Sequence, residues 1–344
     1  MTQITVEVSL PVILDILSIS TSLMLGLLFI ASKTTNRKAN VILGLFLWSL
    51  ALEVFSSLIN GLTEVSFQVL ESSLFTIPFL FIYINQTLNK KIKWVYLLLF
   101  IPGILSNISS LHLFEYVFNI SLLVYILYIV KKHFKKVKDY YSDIENKTLS
   151  WIKTIVYIFL FFHLLWIIED LVGLQNEALI EYFVDASNIL TFFMIYWIGY
   201  NGFSQPEIFK TSLFLSKEKK ETITNNTSET KKQFLEITTI ILDDKLFTDT
   251  DLNLFSLSIK LNLKEKELSK LINRHTNNNF YHFINQLRVN EFKKLLSSSK
   301  AKRLSLLGLA EEAGFYSKST FYTAFKNLEG LTPKQFQNQL KKSE

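Results

Sequence analysis

The apolar runs before about residue 200 are too long and too numerous for one soluble core, and they constrain the fold more than any other feature. A helix needs roughly 20 predominantly apolar residues to cross the hydrocarbon of a bilayer. Runs of that size stand at about 10–31, 41–60, 67–88, 92–110, 113–131, 151–171 and 179–200, the fourth and fifth parted only around Ser109 and Ser110. Hydrophobic residues make up 49% of the chain, with 30 Phe, and the excess sits in these runs. MTQITVEVSL has no positively charged start and no small-residue cleavage pattern, so the first run is expected to be a retained span.

The connections between the runs carry orientation, because cytoplasmic loops hold the excess of Lys and Arg. Lys33, Arg37 and Lys38 follow run one, and Lys90, Lys91 and Lys93 follow run three. Lys131, Lys132, Lys135, Lys136, Lys138 and Lys147 follow run five, and Lys210, Lys217, Lys219 and Lys220 follow run seven. The N-terminus and the other loops have none. The alternation predicts seven spans with the N-terminus outside and the C-terminus in the cytoplasm.

Seven carboxylates fall in the outer third of this arrangement or at its boundary: Asp15, Glu53, Glu71, Glu115, Glu169, Asp170 and Asp185. Ionisable groups at membrane depth are costly and usually face a bundle interior or a wet cavity. Two explanations stand: the groups reach the outer water, or they line an outward-opening acidic pocket for a small cationic ligand. In the second, Glu53, His163 and Asp185 are the deepest members. For His163 alone, a hydrogen bond to a neighbouring helix is the plainer explanation. A retinal Schiff base is excluded, since the last run contains no Lys.

After about residue 203 the chain changes character. Residues 204–230 are rich in Asn, Thr, Ser and Lys and read as a juxtamembrane linker. From Lys231 onward there are 19 Lys and Arg against 12 Asp and Glu, so a net charge of about +7 belongs to the tail. Such asymmetry points to an anionic partner, nucleic acid or lipid headgroups. With no cysteine, disulfides, thiolate metal sites and cysteine catalysis are excluded.

The apolar spacing of the tail is that of amphipathic helices. It predicts a helix at about 232–244, then a short helix, a turn near Asn262 and Leu263, and a second helix at about 264–275. A long helix follows, with Phe280, Phe283, Ile284, Leu287, Phe292 and Leu295 on its apolar stripe. The short-helix, turn, second-helix pattern then returns. Leu309, Ala310 and Ala313 face inward, Gly314 turns the chain, and Ser317 caps the next helix. Phe321, Phe325 and Leu328 form the core face of that helix, Gly330 closes it, and Thr332-Pro333 opens the last one. The opposite face shows Lys318, Ser319, Thr320, Tyr322, Thr323 and Lys326, which suits a DNA major groove: lysines meet phosphates or guanine acceptors, and hydroxyls reach base edges.

GLAEEAGFYSKSTFYTAFKNLEGLTPKQF resembles the second helix-turn-helix of the AraC family of bacterial transcription regulators, and LSIKLNLKEKELSKLINRHTNNNFYHFINQLRVNEFKKLL resembles the first unit with its linker helix. The resemblance covers about residues 232–340. Two departures stand out: Asn277 where the family commonly has Gly, and Gln337 where a basic residue is frequent. Carried over by position, the resemblance implies base-reading sites at Lys266, Ser269 and Lys270 in the first unit, with Arg274 further along. In the second it implies Lys318, Ser319, Thr320, Tyr322 and Thr323, followed by Lys326. It also implies double-stranded DNA as partner, a homodimer on repeated sites, RNA polymerase as a further partner, and no cofactor. A multi-span half before such a tail is similar to membrane-bound members of the family, which places the chain in a bacterial cytoplasmic membrane.

The expected fold is therefore all-α. A seven-span bundle over 1–203 precedes, after the linker, a soluble domain over 231–344 of two helix-turn-helix units joined by a long helix. The expected function is membrane-anchored, one-component regulation of transcription. Two other functions remain open: a transporter or channel with a regulatory tail, and a receptor whose tail docks protein rather than DNA. No HExxH and no Gly-rich phosphate loop after a strand argues for an enzyme.

Overall fold

The computed structural model describes residues 9–33, 36–62, 73–88, 90, 92–106, 112–145, 147–172, 177–203 and 227–343. Glu71, the Ser109–Ser110 boundary and nearly all of the expected linker lie outside the described residues. The described residues are helical apart from turns and one isolated antiparallel bridge, Tyr141 with Asn253.

The chain divides into two compact units, Met1–Lys131 with Leu149–Glu218, and Lys132–Thr148 with Lys219–Glu344. The segment 132–148, assigned from sequence to the membrane half, thus packs with the tail. In the first unit, α1 (Leu10–Ala31) packs on α2 (Arg37–Leu62) and on α7 (Glu177–Phe203), and α2 packs on α3 (Ser73–Thr87). The approach of α1 to α2 requires glycine: a Cβ on Gly44 would lie 2.6 Å from the Gly26 carbonyl oxygen. Residues 94–106 form a 3₁₀ turn, Trp94–Phe100, continued by α4 (Ile101–Ser106). Then come α5 (His112–Tyr140), which runs on into the second unit, and α6 (Ser150–Val172). Phe29, Leu43, Phe46, Ile77, Ile126 and Ile195 are among the fully buried members of the core.

Four helical stretches among the described residues are long and apolar enough to cross a bilayer: Leu10–Ala31, Arg37–Ile59, Phe114–Tyr140 and Ser150–Ile168. The remaining expected spans differ for local reasons. Described helix at the third begins only at Ser73, the fourth is split between 3₁₀ and α geometry just before Pro102, and α7 carries Glu177, Glu181, Asp185 and Asn188. Many large apolar side chains point outward, among them Leu17, Met24 and Leu27 on α1, Val117 and Val124 on α5, and Phe161 and Leu164 on α6.

The second unit contains α8 (Thr227–Asp243), α9 (Leu254–Lys260), α10 (Glu265–Thr276), α11 (Phe280–Leu296), α12 (Leu306–Glu312), α13 (Lys318–Glu329) and α14 (Pro333–Ser343). Turn residues set the breaks. Asn262, Asn277, Gly314 and Gly330 all adopt positive φ, and Asn277, at φ 53°, takes the left-handed conformation that glycine adopts without steric cost. Helix starts are capped by side chains: Asn253 and Ser256 form a reciprocal capping box, and Asn279, Ser305 and Ser317 each accept a backbone N–H. Phe292, Phe315, Phe321 and Phe325 form an aromatic core between α11, α12 and α13. Leu328, expected on that core face, is 37% exposed, although its neighbour Glu329 still reaches α11 through Lys293.

Candidate nucleic-acid interface and the membrane-half cleft

Each short helix in the tail is followed by a turn and a longer amphipathic helix whose outer face is polar. On α10, Leu268, Leu271 and Ile272 turn inward, leaving Lys266 and Ser269 half-buried and Lys270 and Arg274 exposed. Lys266, Lys270 and Arg274 are spaced four residues apart, so they form one line of charge about 12 Å long at 1.5 Å per residue. On α13, Thr320, Phe321, Ala324 and Phe325 turn inward. Lys318, Ser319, Thr323 and Lys326 are exposed, and Tyr322 is half-buried with the Lys318 ammonium 5.7 Å from its ring centroid. Lys318 and Lys326 again span about 12 Å.

Several other basic residues of the unit are neutralised. Lys245, Lys260, Lys293 and Lys300 pair with Glu291, Asp249, Glu329 and Glu312, tying helices and turns together. Among the described residues, Lys270, Arg274 and Lys326 make no ion pair. Positive charge left unneutralised on one polar helix face is what a polyanion neutralises.

Thr320 departs from the sequence expectation. It is 3% exposed, and its hydroxyl donates to Asp143 at 2.5 Å. A side chain that closes a buried carboxylate contact is not available to a base edge in this conformation. Helical periodicity placed Thr320 beside Ser319, but a partner 177 residues away decides its exposure.

Arg288 on α11 was not singled out from sequence, where it interrupts an apolar stripe. It is fully buried; its Nε donates to the Phe247 carbonyl at 2.8 Å and a terminal nitrogen to the Asp249 carbonyl at 2.7 Å. Burial pulls its pKa down to about 10, against the favourable charge of Asp143 and Asp249. The Tyr281 hydroxyl nearby is pushed up to about 12, by burial first and then by the Asp143 carboxylate. Both groups therefore keep their protons at neutral pH.

In the first unit, Glu53 and His163 come together in a cleft of about 280 Å³ lined also by Glu115, Tyr116, Ser187 and Thr191. Glu53 accepts from Thr76 at 3.3 Å and Glu115 accepts from Ser73. His163 Nδ1 lies 2.8 Å from the Phe159 carbonyl of its own helix, so its partner is not the neighbouring helix expected. Asp185 does not line this cleft. It lies instead within electrostatic reach of Asp15, which accepts from Asn188 at 3.3 Å. The expected trio is thus divided, and Glu115 takes the place given to Asp185. Among the described residues no cluster of His, Asp and Glu is placed to hold a metal ion.

Comparison with known proteins falls on the tail. Residues 257–339, about a quarter of the chain, match the family described as a helix-turn-helix domain. Neither the curated proteins nor the solved structures compared with the chain give a match. The match begins within α9 and ends within α14, so it takes in both polar helix faces and the buried helix between them. The C-terminal part of the chain carries an AraC-type helix-turn-helix domain, the DNA-binding domain of a class of transcription regulators.

Proposed function

We propose that the protein is a membrane-anchored, one-component transcription regulator whose tail reads DNA under control of the membrane half. The observation that carries this reading is the set Lys270 and Arg274 on α10 and Lys326 on α13, exposed within the matched domain and making no ion pair among the described residues. Lys266, Lys270 and Arg274 on one face, and Lys318 and Lys326 on the other, meet phosphates or guanine edges. Ser269, Ser319, Tyr322 and Thr323 supply hydroxyl and methyl contacts. The two helix-turn-helix units read successive groove segments, and a homodimer doubles the site. RNA polymerase is the onward partner.

The outward-facing apolar side chains of α1, α5 and α6 support a first half embedded in a bilayer, which covers surface that water would leave exposed; the seven spans in the cytoplasmic membrane rest on the apolar runs of the sequence. The Lys-rich loops favour an outer N-terminus and a cytoplasmic tail. Glu53, Glu115 and His163 form the sensing cleft, and its two carboxylates select a small cationic ligand. A ligand shifts the equilibrium between two states only through unequal affinity for them.

The test uses the full chain in lipid nanodiscs and a pool of random duplex DNA, with selection at two salt concentrations. Lys266→Glu/Lys318→Glu is the control. Enrichment of a two-part motif, lost in the control, is the expected result. Weak, salt-sensitive and sequence-blind retention overturns DNA reading as the function of the tail.

A further inference from the structure

The segment joining α5 to α6 is bound to the helix-turn-helix domain at several points. Tyr141 bridges to Asn253, the Ser142 hydroxyl donates to the Leu252 carbonyl at 2.6 Å, and Asn285 Nδ2 donates to the Ser142 carbonyl at 2.9 Å. The Lys138 ammonium lies 5.2 Å from the Tyr281 ring centroid. These contacts deliver Asp143, 4% exposed, to the start of α13. There Asp143 Oδ1 accepts from Ser317 at 3.0 Å and from Thr320 at 2.5 Å, while Ser317 itself accepts the Thr320 backbone N–H at 3.1 Å. Asp143 Oδ2 accepts no hydrogen bond and faces Lys147 at 3.7 Å. The carboxylate is held by hydroxyls, a helix start and nearby cations, among them the buried Arg288.

These are the donors a DNA backbone phosphate uses: two hydroxyls and the positive end of a helix that lies in a groove. A buried carboxylate there takes the phosphate's position and adds a like charge beside it. We infer that segment 138–147 is an internal ligand of the helix-turn-helix domain, its Asp143 carboxylate occupying the phosphate position at the start of α13. The inference rests on the proposed DNA-reading function. Lys318, Ser319 and Thr323 remain exposed beside the contact, so the segment competes for one anchoring point and does not cover the whole face. Because the segment is continuous with α5 and α6, a shift in those helices bears directly on the contact. This supplies the route by which the membrane half controls the tail.

Two variants of the full chain in nanodiscs test it, with the random duplex pool as probe. Asp143→Asn keeps the shape and an acceptor but removes the charge. The second, Tyr141→Cys/Asn253→Cys, uses the bridge geometry, because opposed residues of an antiparallel pair lie about 4.5–5.5 Å apart at Cα, within disulfide range. The chain has no cysteine of its own, so this crosslink is unique. Asp143→Asn is expected to bind the selected DNA about tenfold more tightly than the parent chain, the effect of one charge-assisted contact. The oxidised double variant should bind at least tenfold more weakly than the same protein after reduction. Equal or weaker binding by Asp143→Asn, or oxidised and reduced forms that bind alike, overturns the inference while leaving DNA reading intact. Sequence-blind binding by every form removes DNA reading itself, and the inference with it.

Discussion

Replacing Arg288 by Met tests the account of the second unit where it is most demanding. The guanidinium is fully buried, and its two short bonds are the ones to the Phe247 and Asp249 carbonyls; the contact with Asn285 is longer, at 3.4 Å. Met fills similar apolar length but leaves both carbonyls without their charged donor. Each such loss costs roughly 1.5–3 kcal/mol. The buried Asp143 carboxylate also loses a compensating charge and keeps Lys147 at 3.7 Å with the hydroxyls of Ser317 and Thr320. Against this, the desolvation that depresses the Arg288 pKa is returned. Removing one member of a buried charged network usually leaves a net loss of about 3–5 kcal/mol, and that is the expected value here. Amide exchange read by mass spectrometry on peptides covering 245–296, in the full chain, should then speed up by a hundredfold or more, at about 1.4 kcal/mol per tenfold. Arg288→Lys reaches one carbonyl at most and should lie between the two. Protection within threefold of the parent chain would refute the claim that this arginine ties α11 to the turn before α9.

Gly314→Ala should destabilise the second unit by roughly 2–3 kcal/mol, because φ is +99° and the new Cβ would meet the Thr248 Cα at 2.6 Å and the Phe247 oxygen at 2.7 Å, both backbone atoms that cannot swing aside; the melting temperature checks it. In the first unit, Gly44→Leu should separate α1 from α2 and lower the yield of monodisperse protein in detergent, whereas substitution at Gly330, which has open space around its Cβ position, strains only the backbone. Charge reversal at Lys266 and Lys318 should flatten the dependence of log affinity on log salt by about one unit per lysine that meets a phosphate; an unchanged slope would remove both from the interface. Burial first, and Lys138 second, hold His282 below the ordinary imidazole value. The neutral ring is therefore the form the fold favours: its contribution is complete above about pH 6.5 and is lost as pH falls from there through the folded value. Exchange protection of α11 should decline as pH falls below about 6.5, and His282→Gln should make that decline shallower.

Much of the tail was legible because its determinants are local. Gly314, Asn277 and Gly330 mark chain reversals through their own backbone preferences, Ser317 caps through its own hydroxyl, and the alternation of Leu, Ile and Phe at helical spacing selects the buried faces of α10, α11 and α13. The apolar runs of the first half are likewise set by composition over a single helix, which is why the bounds expected for the first run coincide with α1. What a helix touches is a different matter. Leu328 sits at core spacing yet is 37% exposed. Asp185 and Glu53 both lie in apolar runs, but only the packing of α2, α5 and α6 decides that Glu53 meets Glu115 and His163 while Asp185 lies by Asp15. The charge of segment 132–148 was visible as a run of lysines; its docking by Ser142 and Asp143 onto residues more than a hundred positions away was not. Sequence alone determined that the chain has an apolar helical half and a basic helix-turn-helix tail, since both follow from periodicity and turn chemistry within short windows. Tertiary structure decided that Thr320 is buried, that Arg288 is a pillar and that a loop of the first half belongs to the second unit. Those outcomes depend on which distant groups satisfy a buried charge, and no local pattern specifies that.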